Sequence, residues 1–519
     1  MPEEQKEEVK EELGEKVKED FFQSINQFIL KNEKIILISL LIISLIITII
    51  LGFQIKSQWS QDSYWHMSLA KNIFSGKGYT IDGQSPHGKY PPGLSFLILP
   101  FLLIFSNVQI AGLILIGILS LLSIFLIYKI GKLISPLVGI ISSILLLTHY
   151  LWVFNSVCIM TEIPFAFFSI CSIFLFIKGF NKKIYFIPSL VFFAISSLIR
   201  YDGFLLVFPF AFFLWKNKLE IKQKIKKEFI IGLFLALIII GAWFLRNWIT
   251  FGNPFYTDYS SEITTFSFSQ AFFFLGLFFK TGYVFPFLSL IGIYFLIKQK
   301  NQKINVFFIW FLIYILLHLF WSAKTIRFYV EILPLMCLLS SLGLIGISKI
   351  LTKNKKKFFT ILAILLIIVI AGQAFIFFSG SINKESSIKT LNRYEPIHQA
   401  SGWANKNLPE EAIYIVPDKA VYNLYLNKKN ILYYNQGVNF IFTNKENYSI
   451  FIFADTIHLW MTQPFLKGES GQIVLQSKDN MGFLTNLVIE TELIDKEDYQ
   501  NRSEAIILKV KSSRIEKSN

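Results

Sequence analysis

The sequence predicts an all-α polytopic membrane protein that ends in a small α/β domain. Three observations carry this. Apolar runs of about 20 residues, the length that crosses hydrocarbon, recur as far as Ser379 and then stop. Lysines crowd into alternate gaps between those runs, and beyond residue 380 strand-like and helical stretches alternate. With 53% hydrophobic and only 16% charged residues, the chain is far more apolar than a soluble domain, where about 25% are charged.

Residues 1–33 form the first segment. Met1 to Asp20 alternate Glu and Lys at helical spacing with almost no apolar face, which reads as a solvated cytoplasmic tail. Ile35–Phe53 carries no charge, is too long for a signal-peptide core and is followed by no small-residue cleavage site, so it reads as a span. About eleven spans are expected, near 34–54, 108–130, 135–153, 163–179, 184–199, 203–215, 229–248, 283–297, 304–322, 328–350 and 358–379. They form a membrane portion, 34–379, whose first outer loop runs over 55–107.

Leu94–Phe105 is left out of the spans. A dozen residues make roughly 18 Å of helix against about 30 Å of hydrocarbon, so the run reads as an interfacial helix starting at Pro91-Pro92-Gly93. Parity supports the choice. It places about nineteen Lys/Arg in inner connectors and about five in short outer loops. Lys129/Lys132, Lys182/Lys183, Lys216 to Lys227 and Lys353 to Lys357 then face inward. Trp152, Trp243, Trp248 and Trp321 fall at outer span ends, as an aromatic belt would. The protein is thus expected in the cell membrane with a cytoplasmic N-terminus.

Residues 380–519 are expected outside. Strands are read at Ala412–Val416, Ile431–Tyr434, Tyr448–Phe453, Gln472–Leu475 and Ala505–Val510, with helical Asp418–Leu426 among them. The formal charge of +15 invites a nucleic-acid partner. Its lysines lie in short loops rather than among base-stacking aromatics, so none is expected. Cys158, Cys171 and Cys337 all lie in or beside apolar runs and show no zinc spacing.

Ionisable residues at a membrane are costly and point to function. Here Asp62, His66, Lys89, Glu162, Arg200, Asp202, Arg246, Lys324 and Arg327 all fall on the predicted outer side. Asp62 fits either an N-cap of the helix that follows or a general base. Asp62 and His66, four apart, make a weak divalent-metal pair with no third ligand in view; no cofactor is required. Glu162 opens a span and suits either the helix dipole or a second active-site carboxylate. Arg200 and Asp202 fit a local ion pair or a substrate contact. Arg246 and Arg327 snorkel or, together, hold a phosphate.

These pieces resemble the GT-C superfamily of lipid-linked glycosyltransferases, in the branch of protein O-mannosyltransferases and aminoarabinose transferases. The resemblance rests on Asp62-Ser63-Tyr64-Trp65-His66, then Ala70, Gly76, Gly78 and Tyr79, Lys89-Tyr90-Pro91-Pro92-Gly93, Glu162, Arg200-Tyr201-Asp202-Gly203, Trp243 to Asn247 and Arg327-Phe328-Tyr329. It implies an integral-membrane transferase that takes a sugar, with inversion, from a polyprenyl-phosphate donor. The acceptor is a protein, lipid or glycan. It also implies Asp62 as general base and Lys89 or an arginine as partner of the donor phosphate, with Glu162 the second candidate carboxylate. Lys89, Tyr90, Arg200, Asp202, Arg246 and Arg327 serve the donor phosphate or substrate. Ser63 stands where many members carry a second acid. A polytopic transporter or a non-catalytic assembly subunit is the competing function, but no internal repeat marks a transporter.

The lysine asymmetry is testable. Asn217→Cys, in the basic loop, should resist an impermeant thiol reagent in intact cells, and Ser387→Cys should label. The opposite pattern would invert the topology.

Overall fold

A computed structural model describes residues 27, 30–217, 227–257, 267–299, 302–321, 324–352, 354–380, 391–443, 449–455, 457, 470–478, 484–499 and 503–517. Most of the charged tail, the centre of the Lys216–Lys227 loop and Ser387 lie outside them. In chain order the helices are α1 (Glu33–Gln54), α2 (Gln61–Phe74), α3 (Gly93–Leu102), α4 (Val108–Gly131), α5 (Pro136–Thr148) and α6 (Tyr150–Asn155). Next come α7 (Glu162–Gly179), α8 (Phe186–Ile199), α9 (Val207–Lys216), α10 (Lys227–Phe251), α11 (Phe268–Gly282) and α12 (Phe285–Gln299). The last are α13 (Gln302–Phe320), α14 (Phe328–Leu351), α15 (Lys355–Ser379), α16 (Glu395–Asn407), α17 (Lys419–Tyr425) and α18 (Tyr434–Thr443).

Each of the eleven expected spans is helical. Among the described residues, seven helices are long and apolar enough to cross a membrane by themselves, and α11 with α12 passes as one bent pair. Leu94–Phe105 yields only the ten-residue α3, packed on α4 and α8. The contacts divide the chain into two compact units, one of residues 1–53 and 88–389, the other of 54–87 and 390–519. The segment 54–87, read from sequence as part of the membrane portion's first loop, thus packs with the C-terminal residues.

In the first unit α14 is the central helix, buried along almost its whole length. Lipid tails give helices no hydrophobic reason to associate, so small residues and hydroxyls make the seams. A Cβ on Gly343 would stand 2.1 Å from the carbonyl oxygen of Leu288, and one on Gly346 would enter the Phe295 ring. Ser289 and Ser340 bond across the same α12–α14 seam at 3.0 Å. Ser172 and Ser189 clasp α7 to α8, each hydroxyl donating to the other's carbonyl at 2.7 and 2.8 Å. At the far end of α1, Glu33 accepts from Lys129 at 3.2 Å and Lys132 at 2.6 Å.

The aromatic-belt expectation needs correction. Trp152 and Trp243 are buried inside the unit, and among the expected belt residues only Trp248 is largely exposed, at 61%. A span-end position does not settle which way a side chain faces.

The second unit holds a six-stranded sheet in the order β2-β1-β3-β6-β5-β4. Its strands are β1 (Ile413–Val416), β2 (Asn430–Tyr433), β3 (Ile450–Asp455), β4 (Ser470–Lys478), β5 (Leu484–Tyr499) and β6 (Ser503–Lys517). β2, β1 and β3 are parallel, and the others pair antiparallel. β1 and β3 are buried at every residue, as parallel strands covered on both faces must be. Asp418 caps α17, accepting from the backbone N–H of Ala420 at 2.7 Å, where the sequence places that helix.

Gly343→Ala should therefore lower thermal stability in detergent by about 1–3 kcal/mol through overpacking. Gly241→Ala in α10, where a Cβ meets nothing within 4 Å, should be neutral or stabilising by up to ~1 kcal/mol. Equal melting shifts would refute the close seam.

Candidate active site

Three chain turns bring the predicted charges together in the first unit. α7 begins at Glu162. α8 ends at Ile199, and Arg200 is extended before the short 3-10 helix Tyr201–Leu206. A Cβ on Gly203 would lie 2.5 Å from the backbone of Ser197, so only glycine lets this turn fold back on α8. α14 starts just after Arg327.

Arg200 bridges two carboxylates. Its Nε lies 3.1 Å from Asp202 and 3.2 Å from Glu331, and Nη1 donates to the Thr161 hydroxyl at 3.4 Å. Arg327 Nε lies 3.6 Å from Glu162. Both guanidiniums flank one ring, Phe328, at 5.2 and 5.8 Å. Glu331 and Glu162 are 0% and 1% exposed, whereas Arg200 and Arg327 retain 20% and 26%. The acids are thus buried beneath arginines that reach the surface.

The constellation continues outward. Tyr201 accepts from the Trp243 indole at 3.0 Å. Arg246 sits over Trp243 at 5.0 Å and over Phe251 at 5.1 Å, and donates to Asn247 at 2.9 Å. Phe251 stacks on Tyr256 at 4.0 Å, and these two rings cover Gly88 so closely that a Cβ there would lie 2.3 Å from Tyr256. Lys89 follows, with its ammonium 5.7 Å from the ring of Tyr90. Gly93, a few residues on, abuts the backbone of Leu198 and Ile199. Lys89, Tyr90, Glu162, Arg200, Asp202, Arg246 and Arg327 therefore form one chain of contacts and near neighbours. Lys324, by contrast, donates to the carbonyls of His318 and Leu319 at the end of α13.

Asp62 and His66 belong to the second unit. Asp62 is not the N-cap that its position suggested. Ser60 caps α2, accepting from the Asp62 N–H at 3.3 Å, which leaves Asp62 in the first turn, where the helix dipole favours a carboxylate. The helix is pinned from α17. Asp418 accepts from the side chains of Gln61 and Trp65, and Ser68 donates to the carbonyl of Ala420 at 2.8 Å. Tyr64 meets His398 at 3.0 Å, and burial pushes His398 down to about 3, so it is neutral at physiological pH. His66 is buried, and among the described residues no three His, Cys, Asp or Glu side chains gather as a metal site.

Sequence reading missed Glu331 and Asp418. Glu331 was findable, being an acid inside an apolar span, four residues after Arg327 and on the same helical side. Asp418 stood only at the head of the helical stretch Asp418–Leu426, and nothing local marks its contacts to Gln61 and Trp65.

Removing one partner of a buried pair strands the other, at a cost of about 3–5 kcal/mol. Arg200→Ala should show that loss in detergent melts, and Arg200→Leu with Glu331→Leu should recover much of it. Arg246→Ala removes ring contacts worth about 0.5–1 kcal/mol each and should shift the melt far less. Equal shifts would show that Glu331 does not depend on Arg200.

Residues 89–245 match a family model described as dolichyl-phosphate-mannose-protein mannosyltransferase. No curated protein sequence matches the chain. Among solved structures, ArnT from Cupriavidus metallidurans bound to undecaprenyl phosphate aligns with a TM-score of 0.60 at 11% identity, covering 91% of this chain and 97% of that one. The apo form of the same protein aligns at 0.57 and 10%, covering 90% and 97%. The archaeal oligosaccharyltransferase AglB from Archaeoglobus fulgidus, in complex with an inhibitory peptide and a dolichol-phosphate, aligns at 0.50 and 12%, covering 88% and 74%. The fold expected from the sequence is found: the chain is a multi-pass membrane protein of GT-C-like fold, and its stretch from Lys89 to Leu245 matches the mannosyltransferase family model.

Proposed function

We propose that the chain is a membrane glycosyltransferase that moves a sugar from a polyprenyl-phosphate donor, dolichyl or undecaprenyl, to a protein, lipid or glycan acceptor at the outer face. One observation carries the reading. The family match over 89–245 lies in a fold shared along 91% of the chain with ArnT bound to undecaprenyl phosphate.

The residues suit an inverting displacement. The Asp62 carboxylate takes the proton of the acceptor hydroxyl while that oxygen bonds to the anomeric carbon. The carbon–oxygen bond to the lipid phosphate breaks on the opposite face, through an oxocarbenium-like state. The departing phosphate needs cations rather than a proton donor. Arg246, held over the rings of Trp243 and Phe251, and Lys89, beside Tyr90, suit this role. Arg327 would share the phosphate with Glu162. Arg200, Asp202 and Glu331 hold the turn that carries Tyr201, and through it Trp243 and Arg246.

Asp62→Asn keeps the size of the side chain and, because Ser60 makes the cap, leaves the helix start intact. Turnover with a polyprenyl-phosphate sugar should fall by roughly 10²–10⁴, or about 3–5 kcal/mol of barrier, with the melting temperature nearly unchanged. An active Asn variant would remove Asp62 as the base and turn attention to Glu162.

A further inference from the structure

The second unit contains a cavity of about 980 Å³, at the upper end of the ~300–1,000 Å³ usual for small-molecule sites. It is walled by the end of α2, the loop that follows it, α17, β2 and the start of α18. Five lysines line it, Lys71, Lys77, Lys419, Lys428 and Lys429, against one carboxylate, Asp82.

These charges are partly committed. Lys419 pairs with Asp82 at 3.7 Å, Lys429 lies 3.5 Å from both Glu410 and Glu411, and Lys428 donates to the carbonyl of Leu408 at 2.6 Å. Lys71 and Lys77, both on the cavity wall, have no such carboxylate among the described residues. Burial lowers the Lys71 pKa, and the charge of Lys77 lowers it further. Each charge disfavours the other, and an anion bound at this wall would relieve both.

The loop is built to keep them there. Gly76, Gly78 and Gly83 all take positive φ, at 74°, 76° and 79°, which side chains resist. Asn72 donates to the carbonyls of Thr80 and Ile81 at 2.8 and 2.9 Å. Asp82 accepts from the backbone of Gln84 and Ser85 at 3.0 and 2.8 Å. Side-chain amides, among them Asn423 and Gln436, complete a polar lining whose donors and acceptors match sugar hydroxyls.

We infer that this cavity binds an anionic saccharide, with Lys71 and Lys77 on its phosphate or carboxylate group and the amides on its hydroxyls. Within the glycosyltransferase reading, on which this clause rests, it holds part of the acceptor. An acidic peptide, which would use the lysines, is the competing occupant.

Full-length protein in detergent, without donor, would be titrated with glucose 6-phosphate, glucuronic acid, glucose and tetraglutamate. The two acidic sugars should bind, and their relative affinity separates a phosphate site from a carboxylate site. Lys71→Gln with Lys77→Gln should weaken them at least tenfold, as should a rise in salt. Lys216→Gln, outside the cavity, should change nothing, and Lys77→Glu alone should nearly abolish binding. Wild-type affinity in the double variant, equal binding of glucose, or tighter binding of tetraglutamate would each overturn the site. Because no turnover is measured, a failed titration sinks the site alone. Normal binding with no transfer to any anionic saccharide would count against the acceptor role.

Discussion

A carboxylate on a buried, otherwise apolar helix is tolerable only while a cation faces it. Glu331 on α14 is in that position, and Arg200 is the cation. Such a pair adds little net stability, because removing two charges from water costs about as much as their attraction returns. It acts instead on register. Sliding α14 along its axis would part Glu331 from Arg200 and Arg327 from Glu162 together. The unit's central helix is thus fixed against α7 and against the turn after α8. That turn carries Tyr201, which holds Trp243, so the same constraint reaches Arg246.

The packing seam agrees with this registry. Gly343 and Gly346 place α14 against α12, and the serine clasp places α7 against α8. The glycines resist a slip sterically, since any larger residue brought to Gly343 would meet the Leu288 carbonyl. The charges add to this, since an unmatched one in this setting is far more expensive than a misplaced methyl group.

Much of this was legible in the chain. Long apolar runs can only be spans, and all eleven became helices. Pro91-Pro92-Gly93 did start a short helix, and the stretch from Asp418 to Leu426 did hold one. What escaped were properties set by distant residues. β5 was not read as a strand because Glu490, Glu492, Asp495, Glu497 and Asp498 mask its pattern, and two register shifts move its faces. Ser60, rather than Asp62, makes the cap because either suits the position and only the start of the helix decides. Seven of the proposed site residues lie in one unit and two in the other, a division that no local spacing encodes. Glu331 alone was an oversight of reading rather than of physics.

The pairing of α2 with α17 also imposes an order on biogenesis. The two halves of the second unit are separated by about 300 residues of membrane-embedded chain. At about 5–20 residues per second, a ribosome needs roughly 15–60 s to cross that interval. Throughout it, Tyr64 of α2 lacks the rings of Tyr394, His398 and Tyr425 that surround it in the finished protein. The helix bearing Asp62 therefore emerges early and is locked late. The second unit is completed only once residues 390–519 have been made, after every helix of the first.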